Sequence, residues 1–178
     1  MEFTAFDKIP RWSREITISE KIDGTNASIF IGEDGEFLTG SKSRWITPEN
    51  DHYGFSKWAH DSRDDLMGLG AGHHFGEWWG SGIQRRYDQE RKRFSLFNTQ
   101  RWEDRAPACC DVVPVLYTGI LSGSVIADAV ESLRKHGSMA APGFMQPEGI
   151  IIWHDAAQHY FKKTLLKDEQ HKGTVTCT

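Results

Sequence analysis

Cysteine is scarce in this sequence. The three present are Cys109, Cys110 and Cys177, two adjacent and one nearly terminal, with no C-x-x-C among them. That excludes a disulfide framework and implies a reducing, intracellular, cytoplasmic setting. Long apolar runs are also missing, so no segment approaches the roughly 20 residues that span a bilayer, and no membrane partner is expected. "MEFTAFDKIPRW" at the N-terminus carries acidic residues and lacks the apolar stretch of a secretory signal. The eight histidines form no H-x-x-x-H pattern with an intervening glutamate, which leaves no zinc signature. Excess positive charge is lacking too. At a net charge of -4 the chain cannot coat nucleic acid non-specifically, so any such contact must be local. The best local candidate is "QRRYDQERKRF", with Arg85, Arg86, Arg91, Lys92 and Arg93. A solvated loop is the ordinary reading of such a run.

What is present fits a folded domain. The 178 residues, 38% hydrophobic and 26% charged, suffice for one domain with a real core. "EITIS" alternates like a half-buried strand, "ASIFI" follows a polar turn, and "GEDGEF" leads into the return strand "FLTGSKS". This places Lys21 between paired strands, in a sheet rather than on a helix. "GFSKWAHDSRDDLMGLG" reads as a helix with Phe55, Trp58, Ala59 and Leu66 on one face and Gly68 and Gly70 at its end. "HHFGEWWG" and "RFSLFN" read as aromatic strands, and "VVPVLYTG" as an edge or late-starting strand because of Pro114. "SVIADAVESLRKHG" is a helix capped by Ser124 and stopped by Gly137, with Ile126, Val130 and Leu133 inward. "EGIIIWH" and "HYFKKTLL" close the chain as strands. The fold class is α+β, mostly antiparallel sheet with packed helices.

Several charged residues sit where charge is costly. Lys21 stands at the end of a strand, just before Asp23-Gly24-Thr25-Asn26. Glu77 lies inside "GEWWG", facing either solvent or a pocket where it would bind a hydroxyl or a metal-bound water. Glu148 opens the apolar "PEGIII". Lys162 and Lys163 are adjacent in a strand, so one faces solvent and the other the interior or a cleft. Phe94 and Phe97 straddle Ser95, where core packing is the ordinary role.

The order of these features resembles the covalent nucleotidyltransferase superfamily of polynucleotide ligases and capping enzymes. "EKIDGTN" resembles motif I, "GSKSRWI" the arginine-bearing motif after it, "GEWWGSGI" motif III, "FSLFN" motif IIIa, "PEGIII" motif IV and "FKKT" motif V. The resemblance runs from about Ser19 to Lys167. Thr25 and Asn26, with the form of motif III, are most similar to the ATP-dependent RNA ligases of phages and RNA-editing systems. It implies that Lys21 attacks the α-phosphorus of ATP to give a lysyl-AMP phosphoramidate. Lys162, with Lys163 second, neutralises the α-phosphate. Glu148 is the metal-side carboxylate for magnesium or manganese. Glu77 holds a ribose hydroxyl, Phe97 stacks on adenine, and Arg44 contacts the ribose or the 5′-phosphate of the nucleic acid. Glu20, Asp23 and Asn26 complete the cofactor-binding set, the last two shaping the turn. The implied partners are ATP and RNA bearing 5′-phosphate and 3′-hydroxyl ends.

The lysines here are adjacent, whereas many family pairs are K-x-K. About a dozen residues follow Leu166, too few for an OB fold. The expectation is therefore a single nucleotidyltransferase domain over 1–178, with any second module supplied by a partner protein. The alternatives are a DNA nick ligase, a guanylyltransferase, or a non-catalytic nucleotide- or RNA-binding module.

Overall fold

The computed structural model describes residues 1–166 and 168; Cys177 and most of the short tail lie outside the described residues. Ten strands form two sheets. β1 (Glu15–Lys21), β8 (Val115–Ile120), β9 (Gly149–His154) and β10 (His159–Thr164) make one, in the order β10-β9-β1-β8. β2 (Thr25–Ile31), β3 (Phe37–Ser41), β4 (Trp45–Ile46), β5 (Gly72–Gly80), β6 (Lys92–Leu96) and β7 (Asp111–Val112) make the other, in the order β4-β3-β2-β5-β6-β7. Every pairing is antiparallel except β6 with β7. The helices are α1 (Phe55–Asp61), α2 (Arg63–Leu66), α3 (Thr99–Trp102) and α4 (Gly123–His136). The α+β, mostly antiparallel expectation is met. No helix among the described residues is long and apolar enough to cross a membrane.

Each sheet buries one face under helices. In the first sheet Ile16, Ile18, Ile150 and Ile152 pack against Ala129, Val130 and Leu133 of α4. In the second, Ala27, Ile29, Ile31, Trp78, Phe94 and Leu96 pack against Phe55, Ala59 and Leu66. A fully buried isoleucine or leucine contributes about 1.5–3 kcal/mol, so these two clusters dominate the stability. The opposite faces look toward each other. A third cluster, Ile22, Trp79, Tyr87, Val113 and Ala141, joins them at one end.

Four local expectations change. The one helix expected over "GFSKWAHDSRDDLMGLG" is two, α1 and α2, broken at Ser62, with a short 3-10 turn over Met67–Leu69. The strands flanking Lys21 do not pair with each other: β1 bonds to β8 and β9, and β2 to β3 and β5. Residues 22–24 are therefore a crossover between sheets. "VVPVLYTG" is two strands rather than one, split by Pro114, which lacks the N–H a ladder needs. β7 edges one sheet and β8 the other. The cap of α4 is Ser122, whose Oγ accepts from the Val125 N–H at 3.4 Å, and not Ser124. Gly137 does end that helix, at φ 80°. The β2–β3 hairpin turns through Gly35 at φ 85°, as the turn sequence requires.

Candidate active site

The crossover at 22–24 follows directly on the first functional side chain. Lys21 is the last residue of β1, and its side chain is about one-fifth exposed. Gly24 brings the chain hard against β5. A Cβ there would strike the Trp78 carbonyl oxygen and lie 2.7 Å from the Trp79 Cβ. The glycine of K-x-D-G is thus required by close approach. Gly24→Ala should cost about 1–3 kcal/mol, read as a lowered midpoint in chemical denaturation.

Between the two sheets lies a cavity of about 640 Å³, within the usual size for small-molecule sites. Alternation decides which side chains line it. Ser19 pairs with Ile151, and Ile151 with Lys162, so these share a face with Lys21 two residues on from Ser19. From the second sheet come Asn26, Phe75 and Glu77, and from the residue just after β6 comes Phe97. Lys162 therefore faces the cavity, while Lys163 points the other way and pairs with Asp168 at 2.9 Å.

The Lys21 Nζ donates to the Glu148 Oε2 at 2.6 Å. Glu148 is only 4% exposed, and this carboxylate–ammonium pair is the site's central contact. Among the described residues no three His, Cys, Asp or Glu side chains gather into a metal cage. A divalent ion here would be held by the Glu148 carboxylate together with a ligand's own oxygens. Magnesium-like ions adopt that mode, keeping one or two carboxylates and several other oxygens.

Glu77 ties the crossover to the cavity floor. Its Oε1 accepts from the Gly24 N–H at 3.0 Å and its Oε2 from the Asn26 Nδ2 at 3.4 Å. Burial pushes its carboxyl up to about 7 from an ordinary 4.5; Lys21 and the Gly24 N–H oppose that rise, while Glu148 and Asp23 add to it. The neutral form is thus favoured by folding. Its contribution to stability is complete below pH 4.5 and is lost as pH rises through about 7. Glu77→Gln should remove this slope. Relative to the variant, the wild type should lose a few kcal/mol, on the order of 3, between pH 4.5 and 8, measured by denaturation at each pH.

Some expected residues are placed elsewhere. Glu20 borders the cavity, but it neighbours Lys21 and so points its carboxylate to the opposite face. There it accepts from the Ser138 Oγ at 2.6 Å and from the Met139 and Ala140 N–H groups at 2.8 and 3.0 Å. It anchors the loop after α4. Arg44 is exposed, donates to the Asn50 Oδ1 at 3.1 Å, and does not line the cavity. Asp23 is clamped by Arg85 at 2.9 Å, and its N–H donates to the Tyr87 hydroxyl at 2.9 Å.

That clamp corrects the reading of the basic run. Arg85 also donates to the Gln146 carbonyl, Arg93 pairs with Asp111 at 2.6 Å, and Lys92 donates to the Tyr53 carbonyl. Three of its five cations are engaged by partners of the same chain, Lys92 from an exposed position. Tyr87, fully buried, packs on Trp79 and Phe144 from a backbone at φ 51°. Arg86 and Asp88 are left-handed as well, at φ 60° and 51°. Such a run persists only when its surroundings hold it, and here it delivers Tyr87 and Arg85 to the Lys21 crossover. The cavity's cations are instead Lys21, Lys42, Arg101 and Lys162, and Tyr160 also lines it. Lys42 sits in "GSKSR", where a lysine two residues before Arg44 was the available signal.

Among curated protein sequences none matches this chain. Solved structures of an RNA ligase from Naegleria gruberi do resemble it. A mutant in the apo form superposes with a TM-score of 0.63 at 16% identity, covering 90% of this chain and 52% of that one. A mutant with ATP and manganese gives 0.59 at 16% identity, covering 89% and 52%, and a mutant with AMP and manganese gives 0.61 at 16%, covering 90% and 53%. These likenesses show a shared fold, and this chain spans about half the length of those solved relatives. Residues 14–167 match the family model described as RNA ligase, and the chain belongs to the RNA ligase family.

Proposed function

We propose that this protein is an ATP-dependent RNA ligase acting through a covalent lysyl-AMP on Lys21. The observation that carries this reading is Lys21 itself. Its amine shares one cavity with Glu77, Phe97 and Lys162, and it is held at 2.6 Å by the buried Glu148.

The roles follow from charge and shape. Phosphoryl transfer depends on positioning and charge neutralisation more than on acid–base chemistry. Lys162 supplies a cation on the α-phosphate. Phe97 offers a ring face to adenine, and Glu77 an acceptor to a ribose hydroxyl. Lys21 paired to Glu148 as an ammonium has no free lone pair, so the pair opens and one proton passes to solvent, which reaches the one-fifth-exposed side chain, before attack. The Lys21 nitrogen then bonds to the α-phosphorus and sheds a second proton to solvent, and the bond to the β-phosphate oxygen breaks, releasing pyrophosphate. Glu148 would hold a magnesium or manganese ion, which would supply charge neutralisation when bound. An RNA 5′-phosphate oxygen next displaces Lys21 from the AMP phosphorus, and the nitrogen regains its protons. Finally a 3′-hydroxyl attacks the activated 5′-phosphorus, releasing AMP and sealing the strand.

ATP and GTP, each radiolabelled at the α-phosphate, test the reading on denatured protein. Label is expected from ATP only, and a 5′-phosphorylated RNA should chase it off. Equal labelling by GTP, or a chase by DNA and not RNA, would overturn the assignment.

A further inference from the structure

The cavity does not end at Phe75. Four cross-strand partners form one row over the outward face of the second sheet: Phe75 on β5, Ser28 on β2, Gly40 on β3 and Trp45 on β4. Such partners point the same way. The next row holds His73 and Phe30. Ser28 and Gly40 are small, so the Trp45 indole leans inward across them; a Cβ on Gly40 would meet its ring at 3.3 Å. It stacks on His73 with centroids 5.4 Å apart and planes at 29°. His73 in turn lies 4.1 Å from Phe75 at 36°. Phe30 braces Trp45 and His73 edge-on, at 6.2 and 6.0 Å.

These rings are wet. Trp45 and Phe75 are 51% and 53% exposed, although a tryptophan held over a glycine could easily be covered. His73, Phe75 and Lys42 line the cavity, so the strip is continuous with it. Lys42 has no ion-pair partner among the described residues. On the outward face of β2 to β5 the only described carboxylate is Glu77, at the cavity floor. Exposed aromatics in a tilted stack beside a cation, with the one carboxylate of that face set apart at the cavity, match single-stranded nucleic acid, whose bases stack and whose phosphates need positive charge.

We propose that Trp45, His73 and Phe75 form a base-stacking strip that receives the unpaired nucleotides adjoining the RNA 5′-phosphate, with Lys42 on their backbone. This rests on reading the cavity as the nucleotide site. It adds a surface outside that cavity, and Trp45 takes no part in the chemistry on Lys21.

The test is binding of a 5′-phosphorylated single-stranded oligoribonucleotide to the wild-type chain without ATP, by fluorescence anisotropy across a salt series. Trp45→Leu keeps apolar bulk and should weaken binding about 5- to 100-fold, the effect of losing one base stack, while Trp45→Phe should stay near wild type. The salt slope should not change in Trp45→Leu, but Lys42→Ala should lower it by about 0.7. Lys21 labelling by ATP should be unaffected in Trp45→Leu, so failure of the strip is distinguishable from failure of the lysyl-AMP reading. Equal affinity of Trp45→Leu and wild type would overturn the proposal. So would equal affinity for a blunt duplex, or a Trp45→Leu change confined to oligomeric state, which would mark the strip as a protein interface.

Discussion

Lys21→Ala should leave no covalently bound AMP while still joining RNA that already carries a 5′-adenylate. The amine is the only nucleophile the mechanism gives to the protein, and methyl replaces it completely. No neighbouring group substitutes for it. Lys42, in the turn after β3, and Lys162, on β10, line the same cavity, and Lys162 is assigned to neutralise charge. Loss of the adduct should therefore be total rather than partial. The last step needs no lysine nitrogen, because the 3′-hydroxyl attacks a phosphorus activated beforehand. Measurable sealing of pre-adenylylated RNA by Lys21→Ala would show that the cavity and the RNA surface survive. Truncation strands the 4%-exposed Glu148 carboxylate without its cation, so a stability loss of a few kcal/mol is expected, and the sealing assay is run where denaturation shows the variant folded. A variant that still accumulates AMP would show that the nucleophile lies elsewhere.

Glu148→Gln should slow formation of the adduct by about 10²- to 10³-fold, the usual cost of losing one preorganised charge at a phosphoryl-transfer site. Glutamine keeps the shape of the side chain and a hydrogen-bond acceptor for Lys21, but removes the negative charge that would hold a hard cation. Two readouts separate the possible roles. If Glu148 holds the metal, the variant needs more magnesium or manganese for half-maximal rate, and excess metal restores part of the loss. If Glu148 only orients Lys21, the rate falls with the metal dependence unchanged. The effect on folding should stay at about 1–2 kcal/mol, below that of breaking a fully buried pair, because the Lys21 side chain is one-fifth exposed and glutamine keeps an acceptor for it.

Much of this architecture was legible in the residue pattern. Alternation marked β1 and β2, the turn before it marked β3, aromatic and apolar runs marked β5, β9 and β10, and the 3.6-residue repeat with Gly137 marked α4. Adjacency in β10 implied that one of Lys162 and Lys163 would face a cleft, and Lys162 lines the cavity while Lys163 pairs with Asp168. The same parity, applied to Glu20 beside Lys21, would have directed its carboxylate to the α4 side.

What escaped is long-range. Period-2 alternation says that a strand has two faces but not which strand it pairs with. So β1 and β2 looked like neighbours, and the two halves of "VVPVLYTG" looked like one strand. Charge composition likewise does not reveal partners. Arg85 and Arg93 read as a basic surface until Asp23 and Asp111 were found beside them. The Trp45–His73–Phe75 strip escaped for the same reason: it joins residues 30 positions apart through three strand pairings.

The central claim is that the Lys21 nitrogen becomes bonded to AMP. Intact-mass measurement after incubation with ATP and magnesium, followed by peptide mapping of the modified residue, tests it most directly. The expected result is one added AMP per chain, on the peptide containing Lys21, removed when a 5′-phosphorylated RNA is supplied. No adduct across a range of metals and pH, or an adduct on any other residue, would contradict the account.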